Sequence, residues 1–600
     1  MKTIKVTNQF PRKRIRLYAT SGFAAAAGVL ALASCSPATD GKKRPNIILI
    51  MSDDMGYSDI ERFGGVIHTP NLNRLADEGV SFRQFYNTAR SCPTRASLLT
   101  GLHPHQAGIG HMMNDRGVDG YRGDLSPHSV TIAEVLKPAG YKNYAVGKWH
   151  VTRHISQDGS NHNWPLQRGF DKYYGILSGA ASYYDPGALC RGNQLISPFN
   201  DAEYVYPVTG DENYYLTEAL GDNAVKFIRE HNREAAGSPF FMYVTFTAAH
   251  WPMQVPERFV KPYYGKFDKG WDELRREKYA RQVEQGVIDS LWSLSADTTV
   301  TPWEAVEDKR FETRCMEVYA GMISCLDENI GKIIDELQQT GQLDNTVILF
   351  LQDNGACAEI TGRERPPHDT PVPEGEKLAP MQPNELQKDG RPWRTRDGQP
   401  VKRGYGVLPG GHDTYIAYGK GWAYYSNTPF REYKHWVHEG GISTPLIVRW
   451  KNGIKATGEI RQTPGQLPDI MATLADISGA VYPRVYNENT IIPLQGVSLK
   501  PAFEKDVASD RYLFWEHENN KAIRQGRWKL VYKFTRQDEY KDVDKPTPYD
   551  RWELYNLEND RTETQNIAGK YPEKVRQLAD EWERIAWKSL VKPYPEEKYF

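Results

Sequence analysis

Four stretches of the chain are dominated by apolar residues: Pro45–Met51, Pro239–Phe246, Asn345–Leu351 and Thr444–Trp450. Successive side chains of a strand face opposite sides, so a run lacking polar alternation predicts a strand buried on both faces, as in a parallel sheet covered by helices. Helical spacing of apolar residues fills stretches between them, at Asn71–Glu78 and Met316–Gln339. Strands alternating with helices predict an α/β fold, a mostly parallel central sheet sandwiched by helices, over residues 45–505. Two stretches read as insertions. Glu257–Lys309 is charged and helical in pattern, and Arg363–Arg403 is a long loop rich in proline, glycine and charge. From about Asp510 the pattern changes to hairpins at Arg511–His517, Lys521–Arg524 and Arg527–Phe534, then a helix at Pro572–Trp587. Residues 510–600 therefore read as a smaller α+β C-terminal domain. No internal repeat is visible.

The first 35 residues stand apart. Lys2–Arg16 is basic, Leu17–Ala33 is small and apolar, and the segment closes on Leu32-Ala33-Ser34-Cys35. That is the pattern of a lipoprotein signal peptide with a lipobox, and the run is too short and alanine-rich for a good spanning helix. It predicts export, lipidation at Cys35, and a periplasmic or outer-membrane-anchored protein touching the membrane only through lipid. Lysine plus arginine (75) nearly equals aspartate plus glutamate (76), so the chain has no electrostatic footprint for nucleic acid and any anion must be held by a local cluster. The five other cysteines include no C-x-x-C pair, which argues against thiolate zinc, and the odd number leaves at least one thiol free. Cys315 and Cys325, on a helix, read as core residues.

The chemistry gathers where strands end. The first run leads into Ser52-Asp53-Asp54 and the third into Gln352-Asp353-Asn354-Gly355. In open α/β sheets, ligands bind beyond the carboxyl ends of the strands, so these corners can meet. Three carboxylates brought together repel unless a cation sits between them, and all-oxygen donors favour calcium or magnesium over zinc. Next comes Ser91-Cys92-Pro93-Thr94-Arg95, with Thr100-Gly101 beyond. Pro93 suits the first turn of a helix and Gly101 its end. Ser91 then sits at a helix N-terminus, which favours an anion, with Arg95 over the same face. Lys148 and His150 are two apart on an extended segment and share a face; His250 follows the second apolar run, and Lys434 precedes Glu439-Gly440-Gly441.

The Ser91 segment resembles the signature of type I sulfatases of the alkaline phosphatase superfamily, and the spacing is most similar to bacterial arylsulfatases. Ser91, Pro93, Arg95, Thr100 and Gly101 carry the likeness, with Gly147-Lys148-Trp149-His150, His250-Trp251-Pro252, Asp353-Asn354-Gly355 and Glu439-Gly440-Gly441, from about Pro45 to the C-terminus. The resemblance implies that Ser91, rather than the adjacent Cys92, is oxidised to formylglycine (3-oxoalanine) by a radical-type maturing enzyme. It implies one Ca2+ held by Asp53, Asp54, Asp353 and Asn354, with Ser91 at the exchangeable position. It assigns Arg95 and Lys148 to hold the formylglycine, His150 to act on it as a base, and Lys148, His250 and Lys434 to bind the sulfate, His250 as acid to the departing oxygen. One hydroxyl of the hydrated aldehyde would attack sulfur in line and expel the alcohol; proton loss from the other would release sulfate. Sulfated carbohydrate is the expected substrate, with Ser178–Asp185, the stretch after Arg363 and Trp422–Asn427 as candidate sugar contacts. A phosphodiesterase or phosphonate hydrolase of the same superfamily, or an inactive glycan-binding lipoprotein, are the alternatives.

Overall fold

The computed structural model describes residues 43–201, 203, 214–365, 378–535 and 543–596. The signal segment and Cys35 lie outside them, as does 366–377 of the second insertion. From Arg44 onward the chain forms one compact unit. Its centre is a sheet of strands β1 (Asn46–Ser52), β2 (Val80–Tyr86), β3 (Lys142–Gly147), β4 (Lys172–Ile176), β5 (Leu189–Arg191), β6 (Gln194–Leu195), β7 (Phe240–Thr245), β8 (Thr346–Gln352), β9 (Ser443–Arg449), β10 (Glu459–Arg461) and β11 (Gly465–Gln466). They lie in the order β10-β2-β9-β8-β1-β7-β3-β4-β5-β6, with β11 also paired to β2.

The four apolar runs are β1, β7, β8 and β9, side by side at the centre, and their side chains divide by alternation. Ile48, Ile50, Met242, Val244, Ile348, Phe350 and Ile447 enter the core on one face, which is closed by the helix Lys309–Gln339. Ile47, Leu49, Met51, Phe241, Tyr243, Val347, Leu349, Leu351, Leu446 and Val448 enter the core on the other, with Leu98 and Leu99 of the helix Ser91–Thr100. Both faces are apolar because both are covered. Direction does not follow from that pattern: β8, β1, β7, β3 and β4 run parallel, but β9 is antiparallel to β8 and β2. Register places Ser52 opposite Gln352 and Met51 opposite Thr245. The corners after β1 and β8 therefore leave the sheet at the same level.

The first insertion carries the helix Gly270–Glu284, whose Lys278 is buried 3.7 Å from Asp59. Residues 378–403 contain no helix or strand. The C-terminal sheet has the expected hairpins, Tyr512–His517, Asn520–Gln525 and Trp528–Tyr532, plus a fourth antiparallel strand, Glu553–Asn556. The helix Pro572–Lys588 covers one face, packing Leu578 and Trp582 against Ile523 and Leu530. The other face sets Leu513, Trp515 and Val531 against Tyr86, Val437 and Ile442. Trp515 Nε1 donates to the Asn87 carbonyl at 2.9 Å. Among the described residues no helix is long and apolar enough to cross a membrane.

Candidate active site

Ser91 is the first residue of its helix, behind an extended Arg90, and Gly101 ends the helix at φ 70°, donating back to Ser97 O. A side chain at Gly101 would be strained in that conformation and would strike Leu494 and Met471. Four residues into the helix, Arg95 reaches back: its Nε donates to Ser91 Oγ at 3.0 Å. His150 Nδ1 lies 3.5 Å from the same oxygen. Cys92 points the other way, to His111 O and Met112 Sδ, and burial pushes its thiol up to about 11. Helix geometry thus separates the two neighbours that the sequence leaves side by side: Ser91 faces the site and Cys92 the core.

The acidic corners meet as the register requires. The Asp54 backbone N–H donates to Asp353 Oδ1 at 3.2 Å, and Asn354 Nδ2 donates to Asp54 Oδ1 at 2.7 Å. Lys148 Nζ sits 2.5 Å and Arg95 Nη2 3.4 Å from Asp53 Oδ2, and Arg95 Nη2 also donates to Asp353 Oδ2 at 3.1 Å. Lys434 Nζ is 3.0 Å from the Asp54 carboxylate, with His250 Nε2 at 3.5 Å. Every one of these side chains is buried. The backbone is shaped to bring them together. Lys148 O accepts from Arg95 and from Thr245 Oγ1, and a Cβ at Gly147 (φ 112°) would lie 1.9 Å from Thr245 O. His150 is itself held at φ 51°, its ring lying where a Cβ at Gly179 would stand.

The electrostatics sort these groups. Burial, then the neighbouring Asp353 carboxylate, push Asp53 well up. Burial opposes ionisation of Asp54 too, but Lys434 and His250 overcome it and hold Asp54 at about 2. Asp353 is kept below the ordinary carboxylate range, against burial, by Arg95, Lys148 and a hydrogen bond from Ser91. Burial, then Lys148 and Arg95, drive His150 well below its ordinary value, so it is neutral. His250 falls to about 3 through burial, which Asp54 opposes without overcoming and Lys434 reinforces. Its Nδ1 faces the Trp251 carbonyl at 2.7 Å, so Nδ1 carries the proton and Nε2 presents a lone pair. His250 can hand a proton forward only as imidazolium, a form that an arriving anion would favour.

Two buried oxygens, Asp53 Oδ1 and Asn354 Oδ1, have no hydrogen-bond partner. Buried oxygens without donors are costly, and they lie among carboxylates. Asp53, Asp54 and His250 alone place ligand atoms within 4.8 Å of one another. The oxygen-rich donor set fits a hard divalent cation.

Every predicted catalytic and metal residue is thus drawn to one place: Asp53, Asp54, Ser91, Arg95, Lys148, His150, His250, Asp353, Asn354 and Lys434. One member was not foreseen. Glu359 binds Arg90 at 2.9 Å and Trp251 Nε1 at 2.7 Å and lies 3.8 Å from Lys434; against burial, Lys434 and Arg90 hold it well below the usual carboxylate range. Its signal was its place five residues beyond Asn354, in the same loop. One expectation is corrected. Trp422–Asn427 does not face a sugar: Trp422, Tyr425 and Asn427 are buried, Trp422 packs edge-on against Trp271, and Asn427 Nδ2 ties Glu432 O to Gly440 O. Ser182 and Asp185, by contrast, line a cavity of about 560 Å³ with Arg396 and Tyr415 of the second insertion and its flank.

Fold and site together define a hydrolase of the alkaline phosphatase superfamily, with Ser91 at a helix N-terminus beside a cluster of buried carboxylates and cationic side chains. The chain belongs to the sulfatase family, whose model matches residues 45–480, and it is a sulfuric ester hydrolase. Residues 431–587 match the model described as N-sulphoglucosamine sulphohydrolase, C-terminal. The chain is 32% identical to an uncharacterized sulfatase of Schizosaccharomyces pombe, over 90% of this chain and 93% of that one. It is 31% identical to an arylsulfatase of Klebsiella aerogenes, over 76% and 92%. A protein solved in complex with its substrate D-glucosamine-2-N,6-O-disulfate shares the fold, at TM-score 0.56 and 22% identity, over 93% of this chain and 100% of that one.

Proposed function

We propose that this enzyme removes sulfate from sulfated glycans, and also from aryl sulfates, using a formylglycine made from Ser91 and one calcium ion held by Asp53, Asp54, Asp353 and Asn354. The observation that carries the reading is the Ser91 oxygen, held by Arg95 beside two buried oxygens that have no donor. In place, the hydrated aldehyde supplies a second hydroxyl that serine lacks, and the cation lowers the charge cost of attack on sulfur. Arg95 fixes the attacking position. Lys148, His250 and Lys434 surround the place where sulfuryl oxygens gain charge, in a site where water is scarce and each contact counts for more. His150, neutral and 3.5 Å from the Ser91 oxygen, is placed to take the proton whose loss releases sulfate. The half-buried Trp251 ring, with Arg391 5.0 Å above it, offers a platform for a sugar beside His250. The neighbour's glucosamine disulfate and the match to the sulphoglucosamine C-terminal model support an amino-sugar sulfate. The sequence pattern adds a radical-type maturing enzyme as partner and an exported, Cys35-lipidated location.

The test is a desulfation screen on defined sulfated saccharides, nitrophenyl sulfate and nitrophenyl phosphate, with protein from a host that matures serine-type enzymes. The Ser91 peptide should be two hydrogens lighter than its sequence mass. Full activity with unmodified Ser91, or a preference for phosphate, overturns the reading.

A further inference from the structure

A second cluster of metal-binding side chains sits at the seam between the catalytic body and the C-terminal sheet. His517 ends one strand of the first hairpin, and Glu518 and Asn519 form its two-residue turn, with φ of 47° and 63°. Positive φ at both positions is what such a turn requires, and glutamate is a poor choice for it. His435, next to Lys434, meets them from the catalytic body at φ 92°. Its Nδ1 lies 2.8 Å from Glu518 Oε2, and His517 Nε2 lies 3.5 Å from Glu518 Oε1.

The decisive group is His517. It is 0% exposed, and neither ring nitrogen has a hydrogen-bond partner. A polar group buried without a partner is costly, so its place in the core needs a cause. His111 has a different part. The Met112 backbone N–H donates to its Nδ1 at 2.7 Å, so its Nε2 carries the proton, 2.9 Å from Glu518 Oε1, with Arg116 Nη2 also 3.1 Å from that nitrogen. That hydrogen bond orients the carboxylate toward the other two histidines. The donor atoms of His435, His517 and Glu518 all lie within 4.8 Å of one another.

We propose that His435, His517 and Glu518 bind a zinc-type divalent ion, with His111 as the residue that positions Glu518. Two imidazoles and a carboxylate suit zinc or a similar transition metal, whereas the oxygen-rich set beside Ser91 suits calcium. His435 and Glu518 are half-buried, which leaves a fourth position open to water. The ion would pin the first hairpin to the segment that carries Lys434.

The test uses the full-length protein, stripped with chelator, returned to excess calcium and titrated with Zn2+. Elemental analysis after dialysis gives stoichiometry and thermal unfolding gives Tm. Wild type should hold one zinc per chain and melt higher with it. His517→Ala and Glu518→Gln should lose both the zinc and the Tm increase while keeping calcium. His111→Ala should bind zinc about 10–100-fold more weakly. His162→Ala, in the more exposed Asp124, His154 and His162 group, should behave as wild type. No zinc on the wild type, or zinc retained by Glu518→Gln, overturns the proposal; if His517→Ala fails to fold, Glu518→Gln decides.

Discussion

Glu439 and Asp53 are both wholly buried carboxylates, each facing one lysine and one arginine. Glu439 uses both oxygens: Oε1 is 3.0 Å from Lys529, and Oε2 is 2.8 Å from Arg561 and 3.1 Å from the Tyr86 hydroxyl. Asp53 gives Oδ2 to both of its partners and leaves Oδ1 with none. The electrostatics follow. Burial opposes both charges, but Lys529 and Arg561 hold Glu439 at about 2, whereas burial and Asp353 push Asp53 up. Both Glu439 oxygens are paired within the chain, and the cluster fastens the C-terminal sheet. The second leaves Asp53 Oδ1 and Asn354 Oδ1 without a donor, the place where the proposed cation would bind.

The sharpest break between the two is in activity. Ser91→Ala should lower kcat/KM on nitrophenyl sulfate by on the order of 10⁵-fold, with Tm nearly unchanged; a loss below tenfold would remove Ser91 from the chemistry. Glu439→Gln should do the reverse in kind. Leaving Arg561 buried without its carboxylate, while Lys529 keeps only Glu563 at 2.8 Å, should cost about 3–5 kcal/mol in urea unfolding. Its folded pKa lies below the ordinary 4.5, so its contribution is full above about pH 4.5 and is lost as pH falls toward about 2. Glu439→Gln should therefore flatten that acid limb, and an unchanged limb would assign it to other carboxylates.

Within the catalytic cluster the two histidines should separate. A sugar hydroxyl needs a proton as it leaves and a nitrophenolate does not, so His250→Ala should cost about 10²–10⁴-fold on a sugar sulfate and much less on nitrophenyl sulfate. His150→Ala should slow both, with sulfated enzyme visible by intact mass. Equal losses from His250→Ala would reduce that residue to sulfate binding and pass the acid role to Lys434 or a water. The smallest effect should come from Asp53→Asn. Without calcium, Tm should stay level or rise; with calcium, the stabilisation that wild type gains should vanish. A fall in calcium-free Tm as large as that of Glu439→Gln would make Asp53 a fastener and erase the distinction.

How much could be read from the chain depended on what each signal reports. Runs dominated by apolar residues report burial, so the four central strands were legible, but the antiparallel course of β9 was not, because burial is the same in either direction. Strand ends report where ligands gather, and together with the motif they located Asp53, Asp54, Asp353, Asn354 and Ser91. Two-residue strands such as β6 and β11 are too short to carry a pattern. Aromatic content misled at Trp422, because residues on the inward face of a short helix look the same in sequence as a sugar platform. Glu359 and Glu518 were missed because a single glutamate in a loop has no periodicity; only the fold shows what each one faces.

Gly355 touches the Glu439 turn without a side chain between them. Its N–H donates to Gly441 O at 3.0 Å, and a Cβ at Gly355 would lie 1.8 Å from Gly440 O. The spacing between the Asp353 corner and the Lys529–Arg561 anchor is therefore set by peptide against peptide, with no rotamer to absorb an error. A chain cut after Lys505 would keep Glu439 and lose both of its cations, placing an uncompensated charge against the loop that carries Asp353 and Asn354. The C-terminal segment is thus a condition of the active site's dimensions.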